Sequence, residues 1–421
     1  MPRGPASVSG NNDGPDAPDS SANLRIAHRT SELPATVPDA AATPAVAAAE
    51  PPPLRSVHTD SFPQLLEQLG ISLLATTYQV GKLVVLRSED GVLNTHFRQF
   101  WQPMGLAVQG NRLAIGTALE IWEYHNVPAV ACRLEPIGRH DACFLPHNSL
   151  TTGDIQIHEM GWGRASHQQP GTNQLDEPEL WFVNTRFSCL CTRDRVHSFV
   201  PRWQPPFITA LAPEDRCHLN GLCLVEGRPA FVTALGETDT TAGWRANKKS
   251  GGVLMDVETG EVLLRGLSMP HSPRWHASKL WMLESGTGSV GYVDPATQQY
   301  ERIAELPGFT RGLDFIGNFA FVGLSQVRES AVFSGIPIAD RPLTERCSGV
   351  WVLDIITGRT VAFVKFEEAL QEIFAVQVLP GIRFPDVVND DTRVLADSFV
   401  IPEHSVKLAP GNPRSNSEAP R

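Results

Sequence analysis

The chain has 421 residues, of which 34 are Gly, 34 are Pro and 19% are charged. A chain of this length can bury a large core, but its many Gly and Pro residues argue against an all-helical protein and predict frequent turns. The net charge of -11 argues against a general nucleic-acid binder, because such proteins concentrate positive charge on their surface.

The two ends of the chain differ in composition from the rest. The N terminus does not show the basic, then apolar, then small-residue order of a secretory signal, and no run approaches the roughly 20 apolar residues of a membrane-spanning helix. We therefore predict a cytoplasmic protein that does not enter a membrane. Residues 1–53 and 403–421 are rich in Pro, Ser and Ala or Asn, and we predict disordered arms there, flanking a folded body at 54–402.

The folded body is predicted to begin with one short helix at 61–70. Ser61 is a candidate N-cap, Pro63 suits the first turn, and Gly70 is a candidate stop. Seven Cys residues follow at irregular spacing, which predicts buried free thiols rather than disulfides. Cys189 and Cys191 alternate along one strand pattern, so they either pack as small buried residues or bind a soft metal ion.

From Ile71 onward one unit recurs: a strand that starts with small or polar residues, a second apolar strand, and an outer hairpin of the type D-x-x-T-G. The predicted inner strands read PMGLAV (103–108), HNSLTT (147–152), NGLCLV (220–225), HSPRWH (271–276), RGLDFI (311–316) and EIFAVQ (372–377). Such repetition is typical of a β-propeller, in which four-stranded sheets surround a channel. We predict an all-β, six-bladed propeller; seven blades is the alternative, if 155–200 contains another sheet.

The first unit lacks an inner strand, whereas the last predicted inner strand lacks outer ones. We therefore predict that the two ends of the body complete one blade, which also removes exposed sheet edges.

Several segments resemble one known group of proteins. They are TYQVGKLVVL, WQPMGLAV, LPHNS, ELWFVNTRFSCL, HLNGLCL, GGVLMDVETGEVL, MPHSPRWH, PGFTRGLDF, FVGLSQVRES, CSGVWVLDIITG and EIFAVQVLPG, and they span about 71–386. The chain is similar here to a conserved, largely uncharacterised family of bacterial proteins predicted to form propellers. The resemblance implies the fold and brings no reaction with it.

In a propeller the inner strands begin around one end of the channel, here called the mouth, so residues at these positions converge there. The predicted inner strands place His147, His218 and His271 at the mouth. Three imidazoles with open positions suit a divalent transition metal, with Fe or Cu ahead of Zn or Mn. Glu372 and Asp314 are candidate metal ligands, general bases or groups that orient a histidine.

Other polar residues at the predicted mouth are candidates for substrate binding, namely Arg311, Arg274, Asn148 and Asn220. Arginine binds carboxylates and phosphates through paired N–H groups. The alternative is that His, Asn and Arg at strand starts only fasten neighbouring blades together. Insertions at 163–178, 236–252 and 325–347 are long enough to cover the mouth, and Trp244 in the second is either a substrate contact or a packed loop anchor.

The sequence contains no phosphate-binding loop, no G-x-S-x-G elbow and no H-E-x-x-H motif, so no nucleotide cofactor is expected. We predict a metal-dependent enzyme, most readily an oxygenase acting on a small or peptide-like substrate, with lyase or hydrolase chemistry still open. The alternative is a non-catalytic propeller that binds a protein or another ligand. A protein partner is compatible with both; nucleic acid and membrane partners are not expected.

Overall fold

The computed structural model of the protein describes residues 54–164, 178–294, 296–327 and 334–401. The predicted arms at 1–53 and 403–421 lie outside these residues. The helices are α1 (Ser61–Leu69), α2 (Pro128–Ala131) and α3 (Thr392–Ala396), with three 3-10 turns at Gly243–Asn247, Pro337–Asp340 and Leu343–Glu345. None of the helices in the described ranges is long and apolar enough to cross a membrane.

Strands make up most of the regular structure. They are β1 (Ser56–His58), β2 (Ile71–Thr77), β3 (Lys82–Glu89), β4 (Val92–Gln99), β5 (Leu106–Gln109), β6 (Arg112–Gly116), β7 (Glu120–Asn126), β8 (Ala142–Thr151), β9 (Ile157–Gly163), β10 (Glu179–Asn184), β11 (Cys189–Thr192), β12 (Val200–Trp203), β13 (Leu219–Val225), β14 (Arg228–Ala234), β15 (Gly252–Asp256), β16 (Val262–Leu267), β17 (Pro270–His276), β18 (Lys279–Glu284), β19 (Ser289–Asp294), β20 (Gln299–Glu305), β21 (Phe309–Ile316), β22 (Phe319–Ser325), β23 (Ser348–Asp354), β24 (Arg359–Phe366), β25 (Ala375–Pro380) and β26 (Pro385–Val387).

These strands form the six blades of a β-propeller, which confirms the predicted fold class. From the inner strand outward, blade 1 is β25-β2-β3-β4, blade 2 is β5-β6-β7-β8-β26, blade 3 is β9-β10-β11-β12, blade 4 is β13-β14-β15-β16, blade 5 is β17-β18-β19-β20, and blade 6 is β21-β22-β23-β24-β1. Nearly all pairings are antiparallel; β26 pairs with β8 in parallel. In its described residues, the region 155–200 contributes strands only to blade 3, so the alternative of a seventh blade is not supported.

Both ends of the body close the ring, as predicted. The C-terminal strand β25 pairs with β2 over Ile71–Thr76 and becomes the inner strand of blade 1. The N-terminal strand β1 pairs with β24 and extends blade 6 outward. Each end of the folded body is therefore paired with a strand from far away in sequence, and β1 covers the outer edge of blade 6.

One predicted inner strand is wrong. HNSLTT belongs to β8, the fourth strand of blade 2, whereas the inner strand of blade 3 is β9, which begins at Ile157. His147 and Asn148 are exposed on this outer strand. A start rich in small and polar residues suits an exposed outer strand as well as a channel mouth, so composition alone did not separate the two.

The helix α1 covers the contact between blades 6 and 1. Phe62 and Leu66 are buried in one apolar cluster with Val84 of β3 and Val364 of β24. Gly70 ends the helix with a left-handed φ of 65°, as predicted. Ser61 is not the predicted cap: its hydroxyl donates to Thr59 Oγ1 and to the Val361 carbonyl, which ties the helix to blade 6.

The cores lie between neighbouring blades, where the faces of two sheets meet. Close approach of the inner strands demands glycine at Gly312, whose φ is 79° and where a Cβ would lie 2.7 Å from the Val376 backbone nitrogen. Because β21 and β25 come this close, the inner strands form a narrow ring. This ring fixes the positions of the side chains at its mouth.

Candidate functional site

The mouth of the channel opens into a cavity of about 600 Å³. Every blade contributes at least one side chain from the start of its inner strand or just before it. These side chains are Phe374 from blade 1, Met104 from blade 2, His158 from blade 3, His218 from blade 4, His271 from blade 5 and Arg311 from blade 6. The cavity is of the size that binds small organic molecules.

Aromatic rings form much of the wall. Tyr78, Trp101, Trp244, Phe309 and Phe374 line the cavity. Trp101 is 65% exposed, whereas Trp244 is only 2% exposed. Trp244 comes from the insertion at 236–252, and its indole N–H donates to Asp215 Oδ2 at 2.9 Å. This insertion therefore contributes a fixed wall to the mouth, although Trp244 is also a packed anchor of its loop.

His158 is held by one ring nitrogen. Its Nδ1 lies 2.8 Å from the Gln156 carbonyl and 2.8 Å from Thr185 Oγ1. Thr185 donates its own hydroxyl proton to the Leu219 carbonyl at 2.6 Å, so both neighbours of Nδ1 are acceptors and Nδ1 carries the proton. The other nitrogen, Nε2, is buried and has no hydrogen-bond partner among the described residues.

His271 and His218 are held in the same way. His271 Nδ1 donates to the Met269 carbonyl at 2.9 Å and contacts Ser285 Oγ at 3.0 Å. His218 Nδ1 lies 2.9 Å from Asp215 Oδ1, and the ring centroids of His158 and His218 are 5.0 Å apart. Each anchored Nδ1 therefore leaves an Nε2 available to a ligand in the cavity.

Two of these imidazoles are uncharged at neutral pH. Burial lowers the pKa of His158 well below its ordinary value, and the charge of Arg311 lowers it further. Burial and Arg311 act on the pKa of His271 in the same direction. Since a neutral ring with a protonated Nδ1 has a lone pair on Nε2, His158 and His271 present hydrogen-bond acceptors.

A charged pair lies beside the histidines. Arg311 Nη1 donates to Glu372 Oε1 at 3.4 Å, and its guanidinium lies 3.5 Å above the ring of Phe374. The Tyr78 hydroxyl also hydrogen-bonds Glu372. Burial raises the pKa of Glu372 to about 7, against the opposing effects of Arg311 and Tyr78. A carboxyl with this pKa can gain or lose a proton near neutral pH.

The structure does not bring the predicted metal ligands together. His218 and His271 lie at the mouth, but His147 stacks on His125 on the outer side of blade 2, with ring centroids 4.2 Å apart. The predicted trio is therefore wrong in one member, because HNSLTT is an outer strand. Across the part of the chain that the structure describes, no group of three or more His, Cys, Asp or Glu side chains is arranged to hold a metal ion.

Three other predicted site residues lie on the inner strands, where they are engaged by the protein itself. Arg274 forms an ion pair with Glu159. Asp314 accepts hydrogen bonds from the backbone N–H groups of Val378 and Phe315 at 2.7 and 2.9 Å. Asn220 donates to the Pro270 carbonyl at 3.0 Å and accepts from Thr233 at 2.7 Å. Asn148 is on the outer strand β8, away from the mouth.

The cysteine prediction is confirmed, since all seven are free thiols and five are buried. Cys189 Sγ and Cys191 Sγ lie 3.5 Å apart on one face of β11.

From the sequence, His158 was not predicted to lie at the mouth. A signal for His158 was present: the segment IHEMGWG directly precedes the predicted insertion at 163–178, so removing the insertion joins it to ELWFVN as a hairpin. Residues 165–177 of this insertion, and residues 328–333 of the one at 325–347, lie outside the described residues. The place of Tyr78 at the mouth carried no sequence signal, because it lies between two strands of blade 1.

Comparison with solved structures gives alignments at very low sequence identity. A chain of a nidogen/laminin complex aligns with a TM-score of 0.45 and 11% identity, covering 74% of this chain and 99% of that one. A protein of unknown function from Bacteroides caccae aligns with a TM-score of 0.43 and 8% identity, covering 73% and 98%. The computationally designed Ika8 protein gives 0.31 and 13%, covering 74% and 80%.

The search of curated proteins found no match to this chain. Residues 60–388, by contrast, match a protein family described as a domain of unknown function (DUF4915). The match covers blades 1 to 6 almost completely and confirms the resemblance to an uncharacterised propeller family. The chain belongs to this DUF4915 family.

Proposed function

We propose that the channel mouth binds a small organic molecule that carries both a carboxylate and hydrogen-bond donor groups. The observation that carries this proposal is the arrangement of His158, His218 and His271, each anchored through Nδ1, around a cavity of about 600 Å³. The unpartnered Nε2 of His158 supports it most directly, because a buried polar atom without a partner is costly unless a ligand or water satisfies it.

The chemistry of the wall suggests the ligand class. Neutral imidazoles with free Nε2 atoms accept hydrogen bonds from hydroxyl or ammonium groups. Arg311 supplies a buried cation that suits a carboxylate. Trp101, Trp244 and Phe374 offer apolar surface for the body of the ligand. Hydroxy acids, amino acids and the C-terminal ends of short peptides combine these features.

Binding is tested with a panel of α-hydroxy acids, α-amino acids and dipeptides, first by thermal shift and then by calorimetric titration. We expect at least one compound to bind saturably. Replacing His158 or His271 by Asn keeps a donor near the position of Nδ1 and removes Nε2, so we expect each substitution to weaken binding about tenfold while the fold is kept. The matched control is His147→Asn on the outer strand, which is expected to bind as the wild type does.

Arg311 is tested in two variants. Arg311→Gln leaves Glu372 without its ion-pair partner, whereas Arg311→Gln with Glu372→Gln removes both charges. Loss of carboxylate binding in both variants supports the proposed role of Arg311. Unchanged binding in the double variant, or equal losses in the His147 control, would contradict the proposed site.

A divalent transition metal at the mouth, and with it oxygenase chemistry, stays a prediction that elemental analysis tests. Protein purified without chelators is compared with a variant carrying Asn at His158, His218 and His271. Near-stoichiometric Fe, Cu, Zn or Mn in the wild type and its loss in the variant would replace the proposed ligand by a metal-centred one. Equal, low metal content in both would favour direct hydrogen bonding to an organic ligand.

Acid–base catalysis at the same mouth is the second candidate function. The observation in its favour is Glu372, whose pKa of about 7 suits proton transfer near neutral pH. Titrating a binding compound in buffers of different ionisation enthalpy measures the protons exchanged on binding. We expect proton exchange in the wild type and none in Glu372→Gln; the same exchange in both would remove Glu372 from this role.

A further inference from the structure

A second cavity, of about 650 Å³, lies away from the mouth, along the outer strands of blades 1 and 2. Strands β3, β4 and β26, the segment that follows α2, and helix α3 contribute to its wall. It contains five arginines, namely Arg87, Arg98, Arg133, Arg139 and Arg393, and two histidines, His96 and His140. The same wall also carries four carboxylates, namely Glu135, Asp386, Asp391 and Asp397.

Arg87 is a buried cation whose direct hydrogen-bond partners are neutral. It is 5% exposed, donates from Nε to Asn94 Oδ1 at 2.8 Å, and donates from Nη1 to the Pro385 carbonyl. Its guanidinium also lies 3.8 Å over the Phe384 ring. Burial lowers the pKa of Arg87 to about 10, and Arg98 and Arg139 lower it further, although Asp386 opposes them. Its charge is therefore under-compensated.

The nearest buried carboxylate is already engaged. Asp386 accepts from Arg98 Nη2 at 2.7 Å through both oxygens, and His96 Nε2 lies 3.5 Å from it. The nearby His96 and Arg98 hold the pKa of Asp386 far below its ordinary value, although burial opposes them. One carboxylate thus serves Arg98 directly and Arg87 only at longer range.

Among the described residues, none of the other carboxylates of the wall, namely Glu135, Asp391 and Asp397, forms an ion pair with Arg87, Arg133 or Arg139. Arg139 pairs with Glu89, and Asp391 accepts the backbone N–H groups at the start of α3. Arg133 lines the cavity and makes no ion pair with any described residue. An anion in the cavity can therefore gain contacts to Arg133 and to the free N–H groups of Arg87 and Arg139 without displacing an existing ion pair.

His140 gives an independent sign of a missing partner. It is 9% exposed, lines the same cavity, and packs edge-on against Phe384 with centroids 5.4 Å apart. Its Nδ1 is buried and has no hydrogen-bond partner in the described part of the chain. Native proteins seldom leave such an atom unpaired, so a bound group is the simplest partner.

We propose that this cavity binds the phosphate group of a small phosphorylated molecule, held by Arg87, Arg133, Arg139 and His140. A phosphate has enough oxygens to accept from several guanidinium groups and from the His140 ring at once. The cavity is larger than a phosphate ion, which leaves room for the organic part of the ligand. The site is separate from the mouth and does not depend on the ligand proposed there.

The test uses inorganic phosphate and glycerol 3-phosphate as probes, measured by calorimetric titration on the full chain at low salt. We expect saturable binding of at least one of them. Arg133→Gln removes a cation that has no ion-pair partner among the described residues, and His140→Phe keeps the ring packing while removing Nδ1. Each is expected to weaken binding about tenfold. The matched control is Arg302→Gln on β20, whose arginine is exposed and pairs with Glu305.

The outcomes separate clearly. Tighter binding of glycerol 3-phosphate than of inorganic phosphate, lost in both cavity variants and kept in the control, supports the full proposal. Binding of inorganic phosphate with the same variant pattern, but not of glycerol 3-phosphate, overturns the organic ligand and leaves a free-phosphate site. Absence of binding for both probes, or equal losses in Arg302→Gln, overturns the site itself.

Discussion

The mouth and the interior of the channel are built from the same inner strands, yet they use their polar side chains differently. In the interior, Asp314 and Asn220 form hydrogen bonds with neighbouring strands, and Arg274 forms an ion pair with Glu159. At the mouth, His158 uses only Nδ1 within the protein and leaves Nε2 without a partner. Satisfied polar groups indicate a structural role, whereas an unsatisfied one needs a ligand or a water molecule as its partner.

Buried charged groups therefore have different roles in the interior of the channel and at its mouth. The inner polar groups, namely Glu159, Arg274, Asp314, Asn220 and Thr233, bind one another or the backbone of neighbouring strands. Arg311 at the mouth has a carboxylate partner at 3.4 Å, a long contact that leaves the guanidinium able to bind a second anion. Changes in the inner polar groups should therefore alter stability, whereas changes at the mouth should alter binding.

The largest expected effect is on stability, from Arg274→Met. The side chains of Arg274 and Glu159 are 17% and 8% exposed, so removing the cation leaves a buried carboxylate unpaired. We expect a loss of about 3–5 kcal/mol in the free energy of unfolding, measured by urea denaturation. Adding Glu159→Gln should restore part of it. A loss as small as that of a surface substitution would show that the interior is hydrated and that the pair is not structural.

A smaller effect concerns the pH dependence of stability at the mouth. Because the pKa values of His158 and His271 are lowered on folding, the unfolded chain takes up protons below its own histidine pKa of about 6.5 while the folded protein does not. This contribution to stability is therefore lost as the pH falls. The loss amounts to about 1.4 kcal/mol per histidine for each pH unit below 6.5, until the folded pKa is reached.

The pKa shift of Glu372 changes stability with pH in the opposite direction, so Glu372 is replaced in both of the proteins that are compared. Its pKa is raised from 4.5 to about 7 on folding, so the folded protein holds this proton more tightly and loses stability as the pH rises through this window. Urea midpoints at several pH values are therefore compared between Glu372→Gln and the same variant with His158→Asn and His271→Asn. The triple variant should lose less stability on acidification. Parallel curves would mean that the two imidazoles are not held neutral.

The fold was predictable because it depends on repetition. Second strands such as ELWFVN and KLWMLE recur often enough to indicate six blades, and two of the outer hairpins, at 256–260 and 354–358, share the D-x-x-T-G pattern. The joining of the chain ends in blade 1 followed from counting, since one unit lacked an inner strand and another lacked outer ones. Such patterns reflect burial on sheet faces, which a single sequence records directly.

The site was only partly predictable, because it depends on register. His218, His271 and Arg311 were placed at the mouth correctly, since each stands at the start of a recognisable inner strand. His158 was missed because its strand is separated from its partner strand by the 163–178 insertion, which hides the hairpin. The anchoring of the histidine Nδ1 atoms arises from contacts with Thr185 and Asp215. The raised pKa of Glu372 arises from its burial. No spacing in the sequence records either of these.

The smallest expected effect is that of His147→Asn. His147 is exposed on β8 and its main contact is the stacked ring of His125, so we expect a change in unfolding free energy within about 0.5 kcal/mol. Binding at the mouth and metal content should both equal those of the wild type. If His147→Asn instead abolishes binding while His158→Asn does not, the functional surface lies on the outer side of blade 2. The unpaired Nε2 of His158 would then be satisfied by a buried water molecule rather than by a ligand.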